Sequence, residues 1–451
     1  MSFSIQALIK KYDAPVPRYT SYPTVPYWSQ TPTPVQWTQH ISSTLSQKDS
    51  TWSLYLHIPF CETLCTFCGC NTAITKDHKK EQPYVDLLIA EFEIYLKLVP
   101  ELRARPCRQI HLGGGTPTFL SASELTRLLT AIMGRIKKND SEFEGSVEVD
   151  PRRTNLEQLK AMLKCGITRI SLGVQDFNPE VQKLVNRIQP FEITKKMTEE
   201  ARSLGYKSVN FDLIYGLAKQ TEESFEQTID QTLSLKPDRI ALYSFALVPW
   251  IKPAQKLFKD EDLPQPHLKR ALYEMARQKL ISGGYDEIGM DHFARPQDGL
   301  AKAFKSQKLH RNFMGYTDQR TDVLLGLGVS SISETPDSFH QNEKVLNLYE
   351  EQIKSGTLAT FRGHVLTEED KQDRVQILQF MTLSEVELKA DQLTDAKEFL
   401  KEMLEDGLVE IQGQILKLTD LGRPFLRNAC LFFDRRYRTQ KPQAKTFSQA
   451  I

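Results

Sequence analysis

The amino-acid sequence predicts an α/β fold: a partial (β/α)6 barrel with an N-terminal arm and a mostly helical, winged-helix-like C-terminal domain. Three observations carry this expectation. Short apolar runs recur from Trp52 onward, amphipathic helical stretches separate them, and the chemically distinctive residues collect just after the runs. Alternation of this kind indicates repeated βα units and a parallel sheet. In such folds the chemistry sits on the loops that follow the strands.

The elements follow in order. Residues 1–50 are rich in Pro, Thr, Ser and Tyr, show little periodicity, and read as an extended arm with one short helix. The barrel and its extension are expected over 51–360. Its strands are LYLHI (54–58), QIHLG (109–113), SVEVD (146–150), RISLG (169–173), SVNFDLIYG (208–216) and RIALYSFAL (239–247), with helices at 84–99, 125–136 and 156–166. Six strand signals are too few for an eight-fold barrel. Over 361–451 the pattern turns helical, and 400–429 reads as helix, strand, turn, strand, helix, which resembles a winged-helix module. Such modules often bind DNA. The acids Glu402, Glu405, Asp406 and Glu410 favour packing onto the barrel instead.

Composition narrows the function. The 451 residues are 40% hydrophobic and 25% charged, ordinary for a protein with a sizeable core. With 58 basic against 57 acidic residues the net charge is +1, which argues against nucleic acid and membrane surfaces as partners. No apolar run approaches the roughly 18 residues of a membrane span, and the N-terminus lacks the pattern of a signal peptide. The expectation is a cytoplasmic monomer.

Four of the seven cysteines lie within ten residues, at 61, 65, 68 and 70; the others, at 107, 165 and 430, are scattered. In a reducing compartment such a group suits a metal site or a redox motif better than disulfides. The spacing is Cys61-x-x-x-Cys65-x-x-Cys68, followed by Gly69-Cys70. Thiolates in one tight loop suit soft metals and iron–sulfur clusters. A closed zinc site is the competing reading, although zinc usually draws ligand pairs from separated knuckles. Three thiolates hold three irons of a cubane and leave the fourth open, as a catalytic metal site requires.

HIPFCETLCTFCGC, with Phe67 just before the third cysteine and GGGTP after the next strand, is similar to the radical S-adenosylmethionine superfamily. PRYTSYPT (17–24), Cys70, EVDPR (148–152), GVQDFNPEVQKLVNR (173–187), FDLIYG (211–216), GMDHFARP (289–296) and HRNFMGYT (310–317) resemble the oxygen-independent coproporphyrinogen III oxidases. The likeness runs from about Lys11 to Asp434.

The resemblance implies one 4Fe–4S cluster on Cys61, Cys65 and Cys68 and two molecules of S-adenosylmethionine. Tyr55, Gly114, Glu148 and Ile332 would contact the first molecule; Phe67, Gly115, Thr116, Gln175, Arg187, Asp212 and Ala246 the second. It implies radical oxidative decarboxylation of two propionates of coproporphyrinogen III to vinyls, giving protoporphyrinogen IX, with a reductant such as flavodoxin or ferredoxin. Cys70 would act in hydrogen transfer or shape the pocket, and Arg18, on an arm folded over the barrel mouth, would hold a propionate. Read singly, Arg187 and Asp212 are structural ion-pair members, Glu148 is a solvated strand-end charge, and the three glycines are a turn. Phe245-Ala246-Leu247 stands where the family usually reads Tyr-Ala-His, and Gly216-Leu217-Ala218-Lys219 where it reads Gly-Leu-Pro-Lys. The competing function is a haem-binding carrier of the same superfamily, whose members typically lack the arm and the cysteine at the position of Cys70.

Overall fold

Seven parallel strands form the spine of a 13-stranded sheet. They are β1 (Trp52–Ile58), β2 (Pro106–Gly114), β3 (Glu144–Val149), β4 (Arg169–Gln175), β5 (Ser208–Tyr215), β6 (Arg239–Ser244) and β7 (Val323–Leu327). Their spatial order is β6-β5-β4-β3-β2-β1-β7. This is a computed structural model, and it describes residues 5–138, 142–440, 446, 447 and 449. Residues 1–4 of the expected arm, and 441–445, 448, 450 and 451 of the expected C-terminal domain, lie outside the described residues.

The first six strands fall where the apolar runs lie. All seven residues of β1 are buried, as expected of a parallel strand covered on both faces. β7 is an addition to the six expected strands. It pairs parallel with β1, from Trp52 opposite Val323 to Leu56 opposite Leu327. Short antiparallel strands extend both edges: Ile332–Glu334, Ser338–Asn342 and Thr360–Val365 beyond β7, and His292–Ala294 and Asp286–Ile288 beyond β6. The sheet therefore stays open, and its two ends do not pair.

One buried carboxylate fastens β7 to the core. Glu91, fully buried on the helix Glu81–Leu98, accepts hydrogen bonds from the Gly328 amide at 2.7 Å, the Tyr349 hydroxyl at 2.6 Å and Asn342 Nδ2 at 2.5 Å. Gly328 lies just past the end of β7.

The arm departs from the reading of one short helix. It holds α1 (Ile5–Tyr12), a 3-10 turn (Val25–Tyr27) and α2 (Pro34–Ser46). α2 starts on a capping box in which Thr33 and Gln36 satisfy each other's backbone amides, with Pro34 at the first helical position. Trp37, Ile41 and Leu45, spaced by four, bury one face of it in the main core, and Trp37 Nε1 donates to the Tyr95 hydroxyl at 3.0 Å. Leu8, Ile9, Tyr19 and Tyr22 join the C-terminal core. The arm thus buries far more apolar surface than its proline-rich composition suggests.

The C-terminal part carries the helix Glu368–Leu383 and a three-stranded antiparallel sheet of Glu385–Glu387, Ile415–Leu418 and Val409–Gln412. It packs onto the rest of the chain. Tyr316 donates to the Met381 carbonyl at 2.9 Å, Arg423 pairs with Glu287 at 3.2 Å, and Arg427 donates to the Pro17 carbonyl at 3.0 Å and to that of Val16. Asp406, one of the acids singled out above, is taken up by Lys11 at 2.8 Å and by the Tyr12 hydroxyl at 2.6 Å. No described helix is long and apolar enough to cross a membrane.

Candidate active site

The end of β2 crosses the end of β1 at a distance only glycine allows. A Cβ at Gly115 would meet the Pro59 carbonyl oxygen at 2.6 Å. One at Gly114, whose φ is +112°, would meet the His57 ring at 2.8 Å. The Gly115 amide donates to the Ile58 carbonyl at 2.8 Å and the Thr116 amide to that of Phe60 at 2.9 Å. The glycines therefore serve strand crossing first, with the Gly115 amide bonded to β1.

This crossing anchors the cysteine loop. The loop leaves β1 through Phe60–Cys61 and returns through Ala73–Ile74, which pairs with it; Ala73 donates to the Pro59 carbonyl at 2.8 Å and Thr75 to that of Cys61 at 2.9 Å. His57 Nε2 lies 3.0 Å from the Asn71 carbonyl, and its Nδ1 lies 3.1 Å from the Tyr55 hydroxyl. Burial lowers the His57 pKa, so the ring is neutral and bridges strand and loop through its two nitrogens.

Cys61, Cys65, Cys68 and Cys70 line one cavity of about 160 Å³, with Gly114, Gly115, Thr116, Glu148, Gln175, Arg187 and Asp212. Their sulfurs face donors. Thr116 Oγ1 is 3.3 Å from Cys61, the Cys70 amide donates to Cys68 at 3.4 Å, and Arg187 and Arg152 approach Cys65 at 3.7 and 3.8 Å. Burial pushes the Cys61 thiol up to about 11, whereas hydrogen bonding from Cys70 draws Cys68 down to about 6. Among the described residues no three Cys, His, Asp or Glu side chains converge as they would on a single ion. Sulfurs standing around a cavity, with cations and amides behind them, fit an anionic polynuclear cluster whose thiolates bind different irons.

A second cavity, of about 500 Å³, adjoins the first. It shares Phe67, Cys68, Cys70, Glu148, Gln175 and Asp212 with it and adds Arg18 and Ala246. Fourteen of the sixteen residues singled out from sequence thus line one or both cavities. Tyr55 and Ile332 line neither. Tyr55 stands behind Gly113 and stacks on His111 with ring centroids 5.9 Å apart, and Ile332 is buried among Trp28, Phe339 and Leu366.

The side chains differ in how committed they already are. Gln175 is held at φ +68°, a strained conformation for a side-chain-bearing residue, at a bulge that ends β4 and turns it toward both cavities. Arg187 pairs with Asp150 at 3.2 Å and donates to the Gly173 carbonyl at 2.7 Å, so it is an ion-pair member as well as a cavity wall. Burial opposes ionisation of Asp150, but Arg187 and Arg152 hold its carboxyl below the usual range. Asp212 accepts from Ser171 at 2.7 Å and from Asn210 at 2.9 Å, and burial pushes it up to about 6. Glu148 lies 3.2 Å from His111 Nε2. Arg18 donates to the Ser244 carbonyl, at the end of β6, at 3.1 Å. Tyr19 and Tyr22, on the same arm as Arg18, turn inward to Asp434 at 3.0 Å and Asp373 at 3.2 Å.

Sequence reasoning gave no role to Asp150, Arg152 or His292. Asp150 and Arg152 sat in plain view inside EVDPR, and two oppositely charged residues after a strand were the available signal. Leu247, in place of the family's usual His, joins an apolar group with Phe67, Phe245 and Phe258.

A parallel sheet, a thiolate loop at the ends of its strands and a glycine crossing beneath that loop define a radical S-adenosylmethionine enzyme, and the family model of the Radical SAM superfamily matches residues 55–232. The chain belongs to the oxygen-independent coproporphyrinogen III oxidase family. It is 40% identical to the oxygen-independent coproporphyrinogen III oxidase of Escherichia coli K12, over 99% of this chain and 98% of that one. It is 37% identical to the enzyme of the same name from Paracoccus denitrificans, over 94% of each. The solved structure of coproporphyrinogen III oxidase from Escherichia coli, described as a radical SAM enzyme, superposes with a TM-score of 0.89 at 39% identity, covering 95% of this chain and 98% of that one. Membership brings with it a 4Fe–4S cluster and S-adenosylmethionine as cofactors.

Proposed function

We propose that this protein carries out oxygen-independent oxidative decarboxylation of coproporphyrinogen III to protoporphyrinogen IX, converting two propionates to vinyls in porphyrin biosynthesis. One observation carries the reading: a cavity of about 500 Å³, within the size range of small-molecule sites, opens directly onto the three-thiolate loop. In a chain this similar to its relatives over full length, that cavity is the place for the macrocycle.

Cys61, Cys65 and Cys68 would hold three irons of the cluster. When bound there, the cluster and S-adenosylmethionine would supply the radical chemistry that the substrate's hydrogen abstraction needs. The chain's own residues set the conditions. Arg187 and Arg152 back Cys65 with positive charge and stabilise thiolate ligation. Gln175, Glu148 and Asp212 face both cavities and so stand at the boundary between cofactor and substrate. The apolar group of Phe67, Phe245, Leu247 and Phe258 keeps water from one side of that boundary. Arg18 sets a planar cation at the cavity wall, suited to a propionate carboxylate. Cys70 lines both cavities without being needed as a ligand, which suits hydrogen transfer or pocket shaping.

A second S-adenosylmethionine, contacting Phe67, Gly115, Thr116, Gln175, Arg187, Asp212 and Ala246, is part of the proposal. The protein would work as a cytoplasmic monomer with flavodoxin or ferredoxin as reductant. Anaerobic incubation with coproporphyrinogen III, S-adenosylmethionine and a reductant, followed by product analysis, tests the activity. Formation of protoporphyrinogen IX supports it. Stoichiometric haem binding with no conversion would favour a haem carrier instead.

A further inference from the structure

Two motifs singled out in the sequence, GMDHFARP (289–296) and HRNFMGYT (310–317), have no part in holding the cluster. The fold brings them together on one wall of the 500 Å³ cavity, which His292, Met314, Tyr316 and Thr317 all line. The strand His292–Ala294 runs antiparallel to β6, with His292 opposite Ala241, and the Asp291 carbonyl accepts from the Leu242 amide at 2.7 Å. The Tyr316 ring packs so closely on Gly289 that a Cβ there would lie 2.1 Å from it. The guanidinium of Arg311 covers that ring at 4.4 Å. The wall is built from both motifs at once.

His292 is the chemically open group on it. Its Nδ1 lies 2.7 Å from Asp291 Oδ1, and its ring is edge-on to Tyr243 and Tyr316, with centroids 5.9 and 5.5 Å away. Two imidazoles line the cavity, and the other, His111, has both nitrogens engaged, by Ser146 at 2.8 Å and Glu148 at 3.2 Å. His292 Nε2 has no hydrogen-bond partner among the described residues and is not among their sealed polar atoms. A carboxylate accepting from Nδ1–H orients the ring and favours its doubly protonated form, in which Nε2–H is a donor facing the cavity. Asp291 is held ionised, down to about 2, because His292, Arg311 and Arg18 outweigh its burial. The groups facing the ring are therefore Asp291, Tyr243 and Tyr316, with Asp212, Arg311 and Arg18 within electrostatic reach.

We propose that His292, oriented by Asp291, is a substrate-binding residue whose Nε2–H receives a carboxylate of the tetrapyrrole's side chains. This rests on the reading of the cavity as the tetrapyrrole site and adds the group that selects its acid chains. Arg18 and His292 line the same cavity, and two such nitrogen donors suit a ligand carrying several carboxylates.

The test uses the reconstituted holoenzyme and two probes: coproporphyrin III, the fluorescent oxidised tetra-acid, and its neutral tetraester. His292→Ala is expected to weaken tetra-acid binding about tenfold, to leave tetraester binding within twofold, and to raise the KM for coproporphyrinogen more than it lowers kcat. Asp291→Asn keeps the shape of the wall and is expected to act in the same direction, by roughly threefold. Cluster absorption and circular dichroism confirm that each variant is folded. Equal loss of acid and ester binding would make His292 a packing residue, and unchanged acid binding in both variants would remove it from the site; either result overturns the proposal. If the wild-type protein neither binds the tetra-acid nor converts coproporphyrinogen, the functional reading has failed first and this inference falls with it.

Discussion

Replacing Glu91 by Gln should reverse the order of stability between two pH values. Glu91 is fully buried, and burial pushes its carboxyl from 4.5 up to about 7, although Tyr349, Gly328 and Asn342 all favour the charged form. A carboxyl with a raised folded pKa binds more protons folded than unfolded between those values. Stability is therefore fully present below about pH 4.5 and falls as pH rises through 7. At 1.36 kcal/mol for each pH unit between 4.5 and 7, the whole effect is roughly 3 kcal/mol, of which about 2.5 kcal/mol falls between pH 5 and 8. Gln cannot ionise and loses nothing over that range. It does place an amide donor against Asn342 Nδ2, which costs about 1 kcal/mol at any pH. The variant should be less stable than wild type by about 1 kcal/mol well below pH 4.5, about equal to it near pH 5, and more stable by about 2.4 kcal/mol at pH 8. Urea unfolding under anaerobic conditions reads this through tryptophan fluorescence, since Trp37 and Trp52 lie in the main core beside the helix that carries Glu91. Parallel curves from pH 5 to 8 would refute the reasoning.

Three further predictions concern the site. Cys61→Ala, Cys65→Ala and Cys68→Ala should each abolish the visible absorption of the cluster, while Cys70→Ser keeps it and loses activity; loss of absorption in Cys70→Ser would break the three-ligand assignment. Gly115→Ala forces a Cβ to 2.6 Å from the Pro59 carbonyl oxygen and should destabilise the strand crossing by about 1–3 kcal/mol. Its signature is a lowered urea midpoint together with faster loss of the cluster, and an unchanged midpoint would show that the loop yields freely. Arg18→Ala should raise the KM for coproporphyrinogen about tenfold, the loss of one charge-assisted contact of roughly 1.5 kcal/mol. Arg18→Ala is a cleaner probe than deletion of residues 1–24, because Leu8, Ile9, Tyr19 and Tyr22 belong to the C-terminal core and a deletion would unfold what it is meant to uncover.

The parallel strands were legible because a strand covered on both faces must be apolar at every position, and runs such as LYLHI state this locally. VLLGLG, the seed of β7, carries the same signal and can be read the same way. The edge strand Ser338–Asn342 cannot: SFHQN is buried at all five positions, yet four of those residues are polar, and their burial is made tolerable by partners far along the chain, such as Glu91 for Asn342. The second helix of the arm was written in Thr33, Pro34 and Gln36, but the prolines around it suggested an extended segment. At the site, motif order marked the thiolates and most of the cavity wall. The fates of Tyr19 and Tyr22 depend on Asp434 and Asp373, more than 350 residues away, and no local pattern announces them. The same holds for the meeting of His292 with Tyr316.

The way the arm is fastened has a bearing on biosynthesis. Lys11, Tyr12, Val16, Pro17 and Tyr19 find their partners at Asp406, Arg427, Asn428 and Asp434, across separations of 394 to 416 residues. On a ribosome adding about 5–20 residues each second, the arm waits roughly 20–80 s for the residues that hold it. The cysteine loop and all seven parallel strands are translated within that interval. Until translation nears its end, Arg18 can be held only by earlier residues such as Ser244, and the segment that carries it lacks its C-terminal fastenings. The order of the residues alone thus places the fastening of the arm after the cysteine loop and the parallel sheet in time.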